Sequence, residues 1–407
     1  MVRELAAAGW IALATVALPA TAEEANEAED EGVEEVREDP DSRELRIGRS
    51  TLELYGFARL DVIYDDSRPD ALQTPTFIES EDPAVSTGGG DSVTIHPRLS
   101  RLGAELEGPA LDALGGARPA AKLEVDFQNG GRESRAVPRY RHAYLALRWD
   151  RARLLAGQTW DLISPLFPTV NSDTLMWNAG NLGDRRAQIR WTYDPPGAGA
   201  SFATALGLTG AVDDQDLDAD GVLDGEEAGV PNLQARLGWT RPVGSGELSL
   251  GVWGHVAREE LTAPVGGETE LEGSSLGVDF TVPVGPRLTL RGEAWSGENL
   301  SDVRGGIGQG VNVTTGEEIA SQGGWAELAW RATDVYSLYG GATLDAPDEE
   351  DLAPGDRKEN RAWYLVQRLD LDGAFRVGLD YIHWTTEFVG LDEGTDNRLN
   401  LYLIYFF

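Results

Sequence analysis

Apolar and polar residues alternate with a period of two over much of the chain. In the carboxyl-terminal segment RLNLYLIYFF, every second residue from Leu399 to Phe407 is apolar. Side chains of a β-strand point alternately to its two faces, so this pattern predicts a strand with one apolar face. An acidic soluble protein gains little by exposing such a face, whereas a strand in a membrane barrel turns it toward lipid.

Connections between these alternating segments are short and long in turn. The short ones lie at 108–119, 149–151, 194–199, 241–246, 283–286, 331–334 and 370–373. The long ones lie near 65–91, 129–138, 159–184, 210–231, 257–272, 298–320, 345–358 and 386–397. Seven short turns that alternate with eight long loops require sixteen strands, with both termini at the short-turn end. The sequence therefore predicts an all-β fold over residues 50–407, a sixteen-stranded antiparallel transmembrane barrel with short periplasmic turns and long extracellular loops.

The ends of the strands carry two further features of a membrane barrel. The first strand, residues 50–64, should pair with the last strand and close the barrel, so that no edge remains in lipid. Trp149, Trp191, Trp239 and Trp330 each precede a short turn and share the parity of their strand's apolar face. Such rings are typical of an interfacial girdle. A soluble β-sandwich would give no reason for the regular alternation of loop lengths.

The amino-terminal region and the overall composition place the barrel in the cell envelope. Residues 1–22 have the layout of a secretory signal peptide, and residues 23–49 form an acidic tail that we expect to be disordered or a short helix. The chain has a formal net charge of -35 and no cysteine, and no later segment predicts a transmembrane helix. We therefore expect a protein of a Gram-negative outer membrane that contacts lipid and lipopolysaccharide.

The same parity assigns many cationic side chains to the lumen. A β-bulge between Leu99 and Leu102 would turn two neighbouring arginines inward together. The predicted pore-lining residues are Arg59, Arg98, Arg101, Lys122, Arg148, Arg186, Arg190, Arg236 and Arg291. Guanidinium groups match carboxylate geometry, so this wall favours small anionic solutes. An unselective pore is the alternative, because Glu105, Glu124, Asp126 and Glu293 could pair with the arginines.

The third long loop is aromatic and apolar where the other loops are acidic. A loop exposed to water does not usually carry so much apolar surface, so we expect this loop to fold into the barrel and narrow it. Packing against a neighbouring subunit is the alternative. The candidate constriction residues are Trp160, Asp161, Asn171 and Trp177.

The acidic loop DLDADGVLDGEE has the spacing of a calcium-binding loop. Carboxylates fall at positions 1, 3, 5, 9 and 12, with Gly221 at position 6. The candidate ligands in residues 216–227 are Asp216, Asp218, Asp220, Asp224 and Glu227. The predicted flanks are strands and not the helices of an EF-hand, so a solvated acidic loop is the alternative. The barrel itself requires no cofactor.

Three segments resemble the DcaP-like porins of Gram-negative outer membranes. They are LYGFARLDVIYDD, HPRLSRLGAELEGP and the third-loop region AGQTWDLISPLFPTVNSDTLMWNAGNLGDRRAQIRW. The resemblance implies a homotrimer of sixteen-stranded barrels that takes up small anions, notably dicarboxylates. It also implies that the third loop forms the constriction opposite Arg59, Arg98, Arg101, Arg186 and Arg190. The family's amino-terminal coiled coil has no run of heptads to match it here.

The favoured function is a diffusion porin for small hydrophilic solutes that prefers anions such as dicarboxylates. We expect no enzymatic activity and no nucleic-acid partner. The four histidines, His96, His142, His255 and His383, lie on different predicted strands without metal-ligand spacing, which argues against a barrel-embedded hydrolase. A phosphate-selective porin would favour a run of inward lysines, and Lys122 stands alone. A closed structural barrel in the envelope is the remaining alternative.

Overall fold

A computed structural model describes residues 44–86, 90–131, 135–197 and 199–407. The predicted signal peptide (1–22) and residues 23–43 of the acidic tail lie outside this range. The strands in chain order are β1 (Glu44–Ile47), β2 (Ser50–Asp65), β3 (Ser92–His96), β4 (Arg101–Glu107), β5 (Arg118–Asp126), β6 (Arg139–Trp149), β7 (Ala152–Trp160), β8 (Arg185–Tyr193), β9 (Ala200–Gly207), β10 (Asn232–Val243), β11 (Gly246–Val265), β12 (Glu268–Gly285), β13 (Leu288–Glu298), β14 (Ala320–Arg331), β15 (Tyr336–Pro347), β16 (Arg357–Leu371), β17 (Phe375–Phe388) and β18 (Leu391–Phe406).

These strands form one closed antiparallel barrel of sixteen, as the sequence predicts. β3 and β4 are two halves of one barrel strand, because both pair with β2. β18 pairs with β2 in turn and closes the ring, with Leu403 opposite Leu60. The final residue takes part as well, since Phe407 and Gly56 exchange two backbone hydrogen bonds of 2.9 and 3.0 Å. The pairing along this seam therefore runs from Gly56 to Tyr64 of β2.

The short strand β1 corrects the prediction for the end of the acidic tail. Residues 44–47 form a hairpin arm on β2, with Leu45 opposite Leu52. Since β4 occupies the other edge of β2 at this level, β1 lies on the β18 edge and extends the line of β18 beyond Phe407. The arm supplies hydrogen bonds to the first residues of β2 after the chain's last strand has ended.

Two of the eight predicted long loops are wrong. Residues 257–272 and 386–397 are almost entirely strand. Each range contains one two-residue turn, at 266–267 and at 389–390 respectively. Their many charged residues suggested loops, but the alternation continues: Glu259 and Leu261 are buried while Glu260 between them is exposed. The β11–β12 hairpin consequently extends past its neighbours.

The interruption in the second barrel strand agrees with the predicted bulge. Phe57 pairs with Arg101 and Asp61 with His96, so residues 58–60 face the four residues 97–100. One strand thus carries an extra residue, which bends it locally.

The barrel's outer and inner faces differ sharply in chemistry. Outward side chains such as Leu145, Leu237 and Leu276 are about 60% exposed or more. The four predicted girdle tryptophans have outward parity near the short turns, and the Trp149 and Trp191 rings lie 5.9 Å apart. Among the described residues, no helix is long and apolar enough to cross a membrane.

Inside the barrel, large aromatic rings lie over glycines on the adjacent strand. A Cβ atom at Gly277 would lie 2.3 Å from the Trp253 ring, and one at Gly378 would lie 2.0 Å from the Tyr402 ring. The directly opposed pairs are Tyr55 with Gly103, Trp253 with Gly277, Trp295 with Gly323, Tyr364 with Gly341 and Tyr402 with Gly378. These glycines let the rings lie flat against the wall, which leaves room for polypeptide inside.

Candidate functional site: the lumen and its inward loop

Loop 3, residues 161–184, leaves β7 and runs along the inner wall of the barrel. Its backbone donates hydrogen bonds to inward side chains on three separate strands. Leu162 N–H donates to Gln234 on β10 (2.6 Å), Leu166 N–H to Glu293 on β13 (2.8 Å) and Thr169 N–H to Glu327 on β14 (2.8 Å). Since β10, β13 and β14 lie on one stretch of the ring, with β11 and β12 between the first two, the loop spans this inner wall and must occupy the lumen, as the sequence predicts.

Apolar contacts join loop 3 to the wall and to two other loops. In one cluster, Ile78 of loop 1 (residues 66–91) packs against loop 3 and the β16–β17 wall; its other members include Val170, Met176, Ala179, Tyr364, Ile382 and Trp384. In a second cluster, loop 3 meets loop 6 (residues 299–319) and the β11–β13 wall, through Ile163, Leu182, Trp253, Trp295, Leu300 and Val303. The apolar side chains of loop 3 therefore pack against the barrel wall and against the other two loops.

Arg186 on β8 joins the start of loop 3 to loop 6. Its guanidinium lies 2.6 Å from Asp161 at the start of loop 3 and 2.6 Å from Asp302 in loop 6, and its side chain is completely buried. It also donates to the carbonyl oxygens of Leu208 and Asp302. The prediction that Arg186 lines the pore is therefore wrong, because every face of its guanidinium is covered by protein.

The four predicted constriction residues lie in or beside loop 3, but all are buried. Trp160 and Trp177 pack in an aromatic cluster with Leu175 and Phe167. Asp161 binds Arg186, and Asn171 donates to the Thr174 hydroxyl. The partly exposed residues of the loop are instead 165–167 and Ser172. The edge that loop 3 presents to the lumen therefore consists of these residues, which pattern reasoning could not separate from their buried neighbours.

Most of the predicted lumen cations form ion pairs. The nitrogen-to-oxygen distances range from 2.7 to 3.8 Å for Arg59 with Asp61, Arg101 with Glu124, Lys122 with Glu105, Arg148 with Glu107, Arg236 with Asp279 and Arg291 with Glu327. Of the four acids considered as partners, Glu105, Glu124 and Asp126 pair with cations, whereas Glu293 accepts hydrogen bonds from loop 3. Whether a solute meets the cation or the anion of each pair then depends on which partner lies nearer the water.

In three of these pairs, and in the pair of Arg139 on β6 with Asp126, the guanidinium is more exposed than the carboxylate. The Arg139 side chain is 32% exposed and its partner Asp126 is 1% exposed. Arg291 is 20% exposed over a fully buried Glu327. The same order holds for Arg101 over Glu124 and for Arg236 over Asp279. Lys122 and Glu105 are the reverse case, with the carboxylate slightly more exposed. The inward surface at the first four pairs is therefore cationic.

Two predicted arginines donate to neutral groups. Arg190 donates to the Gln188 side chain at 3.0 Å and also contacts the Trp160 carbonyl oxygen. Arg98 lies against Asn129, which follows β5, so the structure places it beside the second loop and not in a row with Arg101. The extra residue at 97–100 explains this separation.

Strand parity missed an arginine pair on β6. A register shift in the pairing with β5 leaves Arg141 without an opposite residue, between His142 and Tyr140. Arg141 therefore turns inward and binds Glu124 (2.8 Å) and Asp126 (3.2 Å). The inward position of Arg139 was missed for the same reason. A β6 strand without this register shift would place both Arg139 and Arg141 on the outward face.

The predicted calcium loop has converging carboxylates. Oxygen atoms of Asp216, Asp218 and Asp224 lie within 4.8 Å of one another, as do those of Asp218, Asp220 and Glu227. The backbone N–H groups of Asp220 and Gly221 donate to Asp216, both at 3.1 Å. A one-turn helix, Asp224–Glu227, begins at position 9 of the loop, where the sequence predicts no helix.

This loop is attached to the extended hairpin. The Thr262 hydroxyl on β11 donates to Asp218 and to Asp220, each at 2.9 Å. Burial, together with the charges of Asp218 and Asp216, raises the pKa of Asp224 to about 6, although the Leu217 N–H opposes this shift. Burial and the neighbouring Asp220 also raise the pKa of Glu227. The carboxylates of this cluster therefore lie close enough to repel one another when they are ionised.

The fold and the inward loop define the structural class of this molecule: a sixteen-stranded antiparallel barrel whose third loop folds into the lumen. The outer membrane channel DcaP of Acinetobacter baumannii has the same fold, with a TM-score of 0.71, 17% sequence identity and coverage of 88% of this chain and 97% of that one. The predicted resemblance to DcaP-like porins is thus confirmed at the level of the fold.

Two further solved structures share the barrel. An anion-selective porin from Comamonas acidovorans matches with a TM-score of 0.56 and 14% identity over 88% of this chain and all of that one. OmpT, an outer membrane protein of Vibrio cholerae, matches with a TM-score of 0.58 and 13% identity over 90% of this chain and all of that one. No protein-family model and no curated protein matches the sequence.

Asp173 in loop 3 gives a pH-dependent prediction. Burial raises its pKa from 3.8 to about 6, although Arg139 at 3.5 Å opposes the shift. The folded protein thus retains a proton that the unfolded chain loses near pH 4, so stability falls as the pH rises from 4 through 6. Asp173→Asn should raise the free energy of unfolding by up to about 3 kcal/mol at pH 8, with a smaller gain at pH 4.

Urea unfolding of detergent-solubilised protein at both pH values measures this difference. Asp372→Asn, in an exposed turn, is the matched control and should change stability little at either pH. An equal gain for Asp173→Asn at pH 4 and pH 8 would contradict the prediction.

Proposed function

We propose that this protein is a passive diffusion porin of a Gram-negative outer membrane. A closed barrel with an apolar outer face and a polar, charged inner face supports this function. Loop 3 would set the size limit for solutes, because it occupies part of the lumen along β10–β17. The similar structures that are described as a channel and as a porin support the same class.

We further propose a preference for small anions such as dicarboxylates. The observation that carries this proposal is the exposure order in the ion pairs, in which the guanidinium lies toward the lumen and the carboxylate behind it. A solute near the wall would meet the cationic face first, although the total charge of each pair is zero. Guanidinium forks suit carboxylates in particular.

A homotrimer is proposed on two grounds. An apolar groove crosses the outer faces of β2 and β4–β7, lined by residues such as Leu52, Ala104, Leu123 and Ala143. Small residues flanked by leucines would allow a second barrel to approach closely. In addition, a similar structure of Vibrio cholerae OmpT is described as a trimer form, with a TM-score of 0.53.

The selectivity proposal predicts the effect of neutralising one pair. Arg236→Gln with Asp279→Asn leaves the net charge unchanged and strands no buried charge. Because Arg236 is 20% exposed and Asp279 is 2% exposed, the anion preference should decrease. Reversal potentials in planar bilayers under a salt gradient measure this change, and the variant's potential should lie closer to zero.

The matched control is Arg376→Gln with Asp370→Asn, a pair in which the carboxylate is the more exposed partner. This variant should leave the anion preference unchanged or increase it slightly. Equal shifts in both variants would contradict the role of the exposure order. A cation-selective wild-type protein would contradict the anion preference, and a protein without conductance would favour the closed structural barrel.

We also propose that the loop at 216–227 binds Ca²⁺. Five carboxylates with calcium-loop spacing form two overlapping groups of three there, which share Asp218. A divalent cation would offset the charge repulsion that, together with burial, raises the pKa of Asp224 and Glu227. Glu227→Gln should weaken calcium binding about tenfold or more, because position 12 normally supplies two oxygens. Isothermal titration with CaCl₂ measures the affinity.

Glu317→Gln, in exposed loop 6, is the control and should bind calcium as tightly as the wild type. Calcium affinity should also decrease below about pH 6, since protons compete for the same oxygens. Absence of saturable calcium binding by the wild-type protein would overturn this proposal without affecting the porin function.

A further inference from the structure

Three arginines stand side by side at the short-turn mouth of the barrel. Arg118 on β5 is directly opposite Arg148 on β6, and Arg148 is directly opposite Arg153 on β7. All three share the parity of the inward residues Ala120, Ala146 and Leu155, which form the next row toward the centre. Arg118, Arg148 and Arg153, which we call the arginine row, lie outside the network of contacts that holds loop 3.

Like charges at directly opposed positions destabilise a sheet. One carboxylate, Glu107, lies near two members of the row, but its contacts are loose: 3.7 Å to Arg118 and 3.8 Å to Arg148. Glu107 is the last residue of β4, and its side chain is 45% exposed. A bidentate pair would be about 1 Å shorter, so this carboxylate only partly offsets the repulsion.

Arg153 has still less compensation. Among the residues that the structure describes, no carboxylate lies within ion-pair distance of it. Its guanidinium lies 5.6 Å from the centre of the Tyr144 ring and makes one long hydrogen bond, 3.4 Å, to the Tyr144 hydroxyl. Its Nε atom is buried without a hydrogen-bond partner.

A cavity of about 350 Å³ opens beside the row, lined by Arg118 and Arg148 on one side. The other charged groups that line it are Arg49, Glu53, Glu105 and Glu107. Of the carboxylates, Glu105 pairs with Lys122 at 3.0 Å. Glu107 is the one that reaches toward the row, and it occupies the position where a carboxylate from solution would contact both Arg118 and Arg148.

We propose that the arginine row is an exit site for small dicarboxylates, in which the solute displaces Glu107. One carboxylate of the solute would contact Arg118 and Arg148, and the other would reach Arg153. Adjacent strands are about 4.8 Å apart, so the row spans roughly 10 Å, a length that suits two linked carboxylates better than a single compact anion. This inference rests on the proposed porin function and adds a second anion site to it.

If the solute displaces Glu107, substitutions of Glu107 and of the arginines should change the affinity for the solute in opposite directions. Glu107→Gln removes the competitor and should tighten solute binding severalfold. Arg148→Gln and Arg153→Gln each remove a charge-assisted contact and should weaken it about tenfold. Arg153→Lys keeps the charge but loses the fork, so its affinity should be intermediate. Arg241→Gln, a loss of charge on an outward position of β10 at the same end, is the matched control.

Single-channel recording with succinate added to each side of the bilayer measures these effects as the apparent dissociation constant for current block. Heat-modifiable migration on gels verifies that each variant is folded. The proposal predicts tighter block for Glu107→Gln, weaker block for the two arginine-to-glutamine variants and wild-type block for Arg241→Gln.

The outcomes separate this inference from the function on which it rests. A wild-type protein without conductance would contradict the porin function itself. A conducting, anion-selective protein whose row variants all match Arg241→Gln would overturn the exit site alone. Weaker block for Glu107→Gln would contradict the displacement, and equally strong block by inorganic phosphate would overturn the assignment to dicarboxylates.

Discussion

The architecture of the lumen depends on one fully buried guanidinium. Arg186 holds Asp161 and Asp302 at 2.6 Å each, and thereby ties the start of loop 3 to loop 6 and to β8. Removal of one partner from such a buried network costs about 3–5 kcal/mol, because it leaves an uncompensated charge. The interaction therefore matters less as a net gain in stability than as a constraint on where loop 3 can lie.

This constraint divides the barrel's interior into two unlike halves. Along β10–β17, loops 1, 3 and 6 bury apolar side chains against inward tryptophans and tyrosines, and glycines on neighbouring strands make room for the rings. Along β2–β8, the wall keeps its charged side chains, and Arg101 and Arg139 are more exposed than their carboxylate partners. Arg236 on β10 and Arg291 on β13 show the same order. Ion pairs without net charge can therefore present a cationic surface to water.

Much of the fold follows from the sequence because side-chain alternation is a local property. Period-two patterns, turn residues and the apolar terminus at Phe407 are sufficient for sixteen strands and for closure between β2 and β18. The errors at 257–272 and 386–397 arose where charged residues continue a strand beyond the apolar belt. Strand alternation likewise could not reveal the bulge at Arg141, and one extra residue reverses the face of every side chain beyond it.

The site was less predictable because it depends on contacts between distant segments. Sequence composition indicated that loop 3 folds inward, yet it could not show that Trp160, Asn171 and Trp177 are buried while residues 165–167 form the exposed edge. Likewise, parity placed Arg186 inside the barrel but could not reveal that Asp302, 116 residues away, covers it. The order of exposure within an ion pair has no signature in a single sequence.

The Arg186 network holds loop 3 across the lumen and so narrows it. Single-channel conductance of a variant with Arg186→Met, Asp161→Asn and Asp302→Asn tests this role most directly, because the substitutions remove the network without stranding a buried charge. The account predicts a larger and noisier current than in the wild-type channel. A folded variant with wild-type conductance and noise would contradict it.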